Sequence, residues 1–157
     1  MQPSKNSLKT IIQTGLLAGT LDGLAAALLY SIPTGKDPLN VFRFIASGVF
    51  GKEAFAGGVA MAMYGIFFHY VIATGWTVLF FLAYPRLPLL SKNKIVTGLL
   101  YGVFVWLMMN LVVLPLSNVP MGGEREVTDI IKGMVVLMIC IGIPISWLVS
   151  RHFSKLK

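Results

Sequence analysis

Four apolar stretches of about 20 residues or more constrain this chain more than any other feature, because that length of α-helix crosses a hydrocarbon core of about 30 Å. They run roughly from Leu8 to Tyr30, Ala54 to Tyr84, Ile95 to Leu114 and Val127 to Ser150. In lipid, the backbone N–H and C=O groups must be satisfied within the segment, which makes each stretch a helix. Composition agrees: the chain is 56% hydrophobic and only 12% charged, against about 25% charged in a soluble domain. Mean hydropathy is +0.79. A water-soluble fold is excluded. The expected fold is an all-α polytopic membrane protein, one membrane domain over residues 1–157, with four transmembrane helices and a short amphipathic helix between the first two. No connection is long enough to fold alone. The N-terminus superficially resembles a signal peptide, but its apolar stretch continues to Ile32 and contains Asp22, which favours an uncleaved first helix.

Proline punctuates the spans. Pro33 is expected to follow the end of the first, Pro85 and Pro88 close the second, and Pro115 ends the third. Pro144 lies inside the fourth and should bend it, since proline lacks a backbone donor and crowds the preceding turn. Charge sets the orientation. Lys5, Lys9, Arg86, Lys92, Lys94, Arg151, Lys155 and Lys157 occupy the two tails and the second loop, with no acid among them. The first and third connections carry Lys36, Arg43, Lys52 and Arg125 but also Asp37, Glu53, Glu124, Glu126 and Asp129. The positive-inside rule therefore expects both termini and the second loop in the cytoplasm of a bacterial inner-membrane protein. Within the first loop, Asp37-Pro38 reads as a helix start, and LNVFRFIASGVFG repeats apolar residues on one face. A helix over about 38–50 is expected, lying in the outer interface or dipping in as a re-entrant segment.

Small residues mark the packing faces. Gly15, Gly19 and Gly23 recur every four residues in span one, continued by Ala27, and Gly98 and Gly102 repeat the spacing in span three. Such a ridge lets another helix approach closely. At 100° per residue, Asp22 lies about 20° from Gly15 and about 60° from Gly19, so it points into the bundle or a protomer interface. A carboxylate near the bilayer centre costs at least about 2.5 kcal/mol, so it pairs, protonates or lines a wet cavity. Asp22 is thus the leading candidate for a proton, ion or solute site, and the alternative is a hydrogen-bonded pin between helices. His69 lies near the middle of span two, on one arc with Gly58, Ala62, Gly65 and Ala73. It is either a proton-linked group or a structural one. The only other histidine, His152, lies in the tail, so two histidines cannot ligate haem within one protomer. Asn110 and Lys132 are placed at similar depth to Asp22, with Arg43 and Glu53 just outside. Together they suggest an outward-facing vestibule. Pairing of Asp22 with Lys132 or Asn110 for packing alone is the competing account, and Asp129 and Lys132, three apart, can pair with each other.

Other classes find little support. The net charge of +7 comes mostly from span ends, where headgroups explain it, so nucleic-acid binding is not expected. Cys140 is read as a small packing residue, and Trp76, Trp106, Trp147 and the eight methionines as lipid and packing contacts. There is no Walker sequence, zinc-ligand spacing or GxSxG, and Gly122-Gly123 is too isolated for a phosphate loop. No metal or cofactor is expected, nor an enzyme, although lipid chemistry stays a third possibility. Membrane lipids are the expected partners, with a homo-oligomer because four spans enclose little volume; no protein partner can be named. A structural or accessory subunit is the alternative to a proton, ion or solute site.

The order of motifs also has a likeness. A glycine-rich first span, KDPLNVF, a second span with His69, the stop AYPRLPLL, a glycine-rich third span ending LPLSNVP, and EREVTDIIKG before the fourth resemble small bacterial inner-membrane proteins of the YagU type, a family of unknown function. The positions that match are His69, Tyr84, Pro85, Pro115 and Pro120. The resemblance implies a loose link to acid tolerance, and it offers no counterpart to Asp22.

Overall fold

The computed structural model describes residues 5–120 and 126–155, and all its regular structure there is helical. Glu124, Arg125, Gly122-Gly123, Lys157 and the Lys5 side chain, used above, lie outside the described part. Helix α1 spans Lys5–Thr34, α2 Leu39–Phe50 and α3 Gly58–Ala83, with a 3-10 turn Gly51–Phe55 before α3. Helix α4 covers Lys94–Leu116 and α5 Val127–Ser154. The four long helices are apolar enough to cross a membrane, and the short α2 falls between the first two of them.

Several boundaries differ from expectation, among them the end of α4, which Pro115 does not stop and which runs on to Leu116. Helix α1 continues through Pro33, which its last turn tolerates, and ends at Gly35, whose φ of 64° supplies the left-handed stop that glycine adopts without strain. The second span starts at Gly58 and not at Ala54, because the chain turns at Gly51 and Gly58, both with φ near 60°, and winds a 3-10 turn between them. The start of α2 is as expected, one residue later. Asp37 Oδ1 accepts the Leu39 N–H at 2.9 Å and so satisfies one of the donors a helix leaves open at its first turn.

The prolines inside α4 and α5 are each preceded by a π turn. Met109–Val113 widens α4 ahead of Pro115, and Leu137–Gly142 widens α5 ahead of Pro144. A proline ring clashes with the carbonyl four residues back, and an i→i+5 turn moves that carbonyl out of the way while keeping it bonded. The disturbance expected at Pro144 is thus absorbed one turn upstream.

The helices form a closed bundle. Helix α1 packs on α3 and α5, and α4 packs on α5. Tyr101 of α4 closes the ring, donating to Trp76 O of α3 at 2.6 Å and packing edge-on to Phe80. The shared core contains Ala18, Ala73, Phe80, Val105, Ile141, Ile145 and Val149, all nearly inaccessible. Around it the outer faces are apolar and open, as at Leu24, Leu100 and Leu111, more than half exposed. In water such a surface would drive aggregation, and in a bilayer it is the face lipid covers.

Glycines set the closest crossings. Side chains on Gly98 would meet the Gly142–Ile143 backbone at under 3 Å, and on Gly102 the backbone of Met138, so α4 and α5 touch main chain to main chain. The ends are tied by hydrogen bonds. At one end Tyr84 donates to Ser150 Oγ at 3.0 Å and Ser146 to Lys94 O at 2.8 Å, gathering the end of α3, the start of α4 and the end of α5. At the other, Asn118 N donates to Gly48 O at 2.9 Å and its side chain to Val49 O at 3.1 Å, fastening the segment after α4 to α2. Basic residues Lys9, Arg86, Lys92, Lys94, Arg151 and Lys155 fall at the first end, and Asp37, Glu53, Glu126 and Asp129 at the second.

Candidate functional site

The site is built where α1 and α3 cross. Gly15 lies against Thr74, Gly19 against Tyr70 and Ala73, and Gly23 against His69, each with side-chain or backbone atoms within about 3.2 Å of where a Cβ would sit. With no side chains on this face of α1, the imidazole of His69 reaches the α1 backbone. It contacts Gly19 O at 2.8 Å through Nε2. A carbonyl only accepts, so Nε2 carries the proton and donates. The same nitrogen lies 3.9 Å from Asp22 Oδ2, beyond hydrogen-bond range but close enough for strong electrostatic coupling in a medium of low dielectric constant.

Depth and burial matter for what this pair can do. Asp22 is 17 residues from the start of α1, about 26 Å at 1.5 Å per residue, and His69 is 11 residues, about 17 Å, from the start of α3. Both therefore sit well inside the span. Their side chains are 15% and 11% exposed. The arc proposed for His69 is buried at Ala62, Gly65, His69 and Ala73, although Gly58 is exposed at the helix start.

Helix α2 roofs the pair. The Phe42 backbone rests directly on Gly65, where any side chain would collide with the Phe42 carbonyl. Gly65 is about 10 Å along α3, so α2 lies alongside that helix and not beyond its end. The Phe42 ring meets the His69 imidazole edge-on at 6.1 Å and lies 3.6 Å from the Cβ position of Gly23. Tyr70 flanks the imidazole at 5.8 Å, and its hydroxyl is 2.9 Å from Thr20 Oγ1. Cys140, on the π turn of α5, lies within electrostatic range of Asp22.

The remaining candidates are placed elsewhere. Arg43 is a clamp: Nε donates to Gly58 O at 3.0 Å, while one terminal nitrogen donates to Asp37 Oδ2 at 3.0 Å and to Asn40 Oδ1 at 2.6 Å. These bonds hold α2 to the start of α3. Lys132 pairs with Asp129 at 3.2 Å on an exposed face, one turn apart, and so does not reach Asp22. Asn110 donates to Trp106 O at 2.9 Å, within its own helix. The side chain of Glu53 is exposed beside the 3-10 turn. Asp22 is thus brought against His69, while Lys132 is paired within its own helix. Equal depth along different helices does not imply a shared face: Asp22 meets His69 of α3, and Cys140, not Lys132, is the α5 residue within its electrostatic range.

Sequence reasoning named Asp22 and His69 separately and did not pair them. The available signal was Gly23 opposite His69, a bare position facing a ring. The roles of Phe42 and Tyr70 had no comparable signal, since both read as ordinary apolar positions. Among the described residues no group of three His, Cys, Asp or Glu side chains is arranged to hold a metal ion.

Comparison with known proteins gives no relative. No family model, curated protein or solved structure matches this chain. Function rests on the site itself.

Proposed function

We propose that this integral membrane protein carries a proton-exchanging site at Asp22–His69, through which protons or a proton-coupled small solute reach the bundle interior from the face roofed by α2. The carrying observation is the pair: a carboxylate and an imidazole 3.9 Å apart, deep in two apolar spans. A carboxylate and an imidazole both exchange protons with water. A single buried carboxylate is costly in lipid, and a second titratable group beside it can take its proton or return one to it. Non-enzymatic action fits a core whose closest proton-transfer groups are this one acid and this one imidazole. A multi-pass position in a bacterial inner membrane, with both termini in the cytoplasm, fits the basic residues gathered at one end. Kinship with YagU-type proteins, and a role in acid tolerance, accord with a proton site. A homo-oligomer would enlarge the small volume four spans enclose, although both glycine rows already serve contacts within the chain.

The test is proton flux into liposomes holding the purified protein across pH 5 to 8. Asp22→Asn lowers the flux at least tenfold. Flux equal to that of the wild type removes the proposal. For orientation, a cysteine introduced at Lys92 in a Cys140→Ser background reacts with an impermeant maleimide only from the cytoplasmic side; labelling from outside reverses the assignment.

A second reading is favoured by one bond. His69 Nε2 donates to a main-chain carbonyl of α1, so the pair also fastens two spans, as an accessory subunit that merely needs fixed packing would require. That reading expects Asp22→Asn to lower thermal stability without changing flux.

A further inference from the structure

A cleft of about 240 Å³ opens at the basic end of the bundle, between the first turns of α1 and the last turns of α5. Thr10, Gln13 and Thr14 line it from α1, and Leu148, Arg151, His152 and Lys155 from α5. It lies far from the Asp22–His69 pair and does not depend on the function proposed for it. No acidic residue lines it. Arg151 and Lys155, four apart and so on one face of α5, are exposed, and neither forms an ion pair among the described residues. The chain's other basic groups at this end include Lys9, one turn before Gln13 on the same face of α1.

The wall of the cleft is fixed. Thr10 donates its hydroxyl proton to Asn6 O at 3.0 Å, which leaves Thr10 Oγ1 to accept from His152 Nδ1 at 2.9 Å. The imidazole packs on Phe81 at 5.3 Å. These contacts hold the ends of α1 and α5 at a set distance, so the two cations stand over a preformed recess. The recess is amphipathic: charged, hydroxyl and amide groups line it together with Leu148, which lies a turn before Arg151 along α5. A liquid water occupies about 30 Å³, so the cleft holds roughly eight waters or one phosphate group with its shell.

We propose that this cleft binds the phosphate of an anionic phospholipid, with Arg151 and Lys155 on the phosphate oxygens, Gln13 and Thr10 beside the headgroup, and the acyl chains running down past Leu148. Position selects a lipid over a soluble phosphate. The cleft lies at the basic ends of two spanning helices, with Leu148 among the residues that line it. Guanidinium and ammonium groups there gain from an anionic headgroup what a zwitterionic one does not give.

Native mass spectrometry of the full chain, released from nanodiscs of phosphatidylcholine with or without phosphatidylglycerol, tests this. The wild type retains phosphatidylglycerol in preference to phosphatidylcholine. In Arg151→Gln/Lys155→Gln the preference falls about thirtyfold, roughly fivefold for each cation. Arg86→Gln/Lys92→Gln, at the same end but away from the cleft, keeps it. Both substituted pairs are exposed, and an unchanged thermal unfolding curve verifies folding. Equal loss in the two double variants would mean diffuse attraction at the surface and overturn the site. So would undiminished retention in Arg151→Gln/Lys155→Gln, and retention of added inorganic phosphate without any lipid preference would overturn the lipid assignment.

Discussion

At His69 two functions of one side chain can be separated, because the imidazole both donates to Gly19 O and faces Asp22. Glutamine in its place can still donate an N–H to the carbonyl but cannot titrate. His69→Gln is therefore expected to fold with a melting temperature close to the wild type and to lose proton flux. His69→Ala removes the donor as well and leaves a void between α1 and α3; it should unfold about 1–3 kcal/mol more easily, read from denaturation in detergent. If the two variants behave alike in both assays, the hydrogen bond and the titration are not separate roles. Part of this was legible in the sequence. A lone acid on a glycine ridge and a histidine near mid-span stand out because lipid makes polar residues expensive. Their pairing was not legible, because it depends on which neighbour the bare face of α1 meets. The charge of Lys132 made it an attractive partner for Asp22, yet an i,i+3 acid on its own helix costs less to reach.

Helix α2 shows how far periodicity carries. Its apolar repeat and its Asp-Pro start gave its limits within a residue, since both are local properties of the chain. Its docking is not local. It is set by Gly65, where the absence of a side chain admits the Phe42 backbone, and by Arg43 binding across to Gly58 O. Gly65→Val would thrust two methyl groups into that backbone. Overpacking of this kind costs about 1–3 kcal/mol, and here the weaker partner gives way: α2 lifts while the four spans persist. Protease cleavage within residues 39–50 should then rise in the variant with helicity by circular dichroism unchanged. Resistance equal to that of the wild type would mean α2 is held by something other than this contact. The π turns before Pro115 and Pro144 likewise escaped prediction, because proline announces a disturbance without specifying whether the helix kinks or widens.

Over the whole molecule, the apolar outer faces, the basic end opposite one of mixed charge, and the tight crossings of α1 with α3 and α4 with α5 follow from one constraint. A chain in lipid gains little from hiding apolar surface, so it packs through glycine, aromatic edges and a few polar bonds. A buried Asp–His pair in such a bundle is then either exchanging protons with water or locked in place. Proton uptake decides between these most directly. Purified protein in detergent is taken from pH 8 to pH 4 with an indicator dye, beside the variant Asp22→Asn/His69→Gln. The wild type should take up at least one proton per chain more than the variant. Equal uptake by the two would contradict it, because the pair would then hold its protonation fixed and serve only to join two helices.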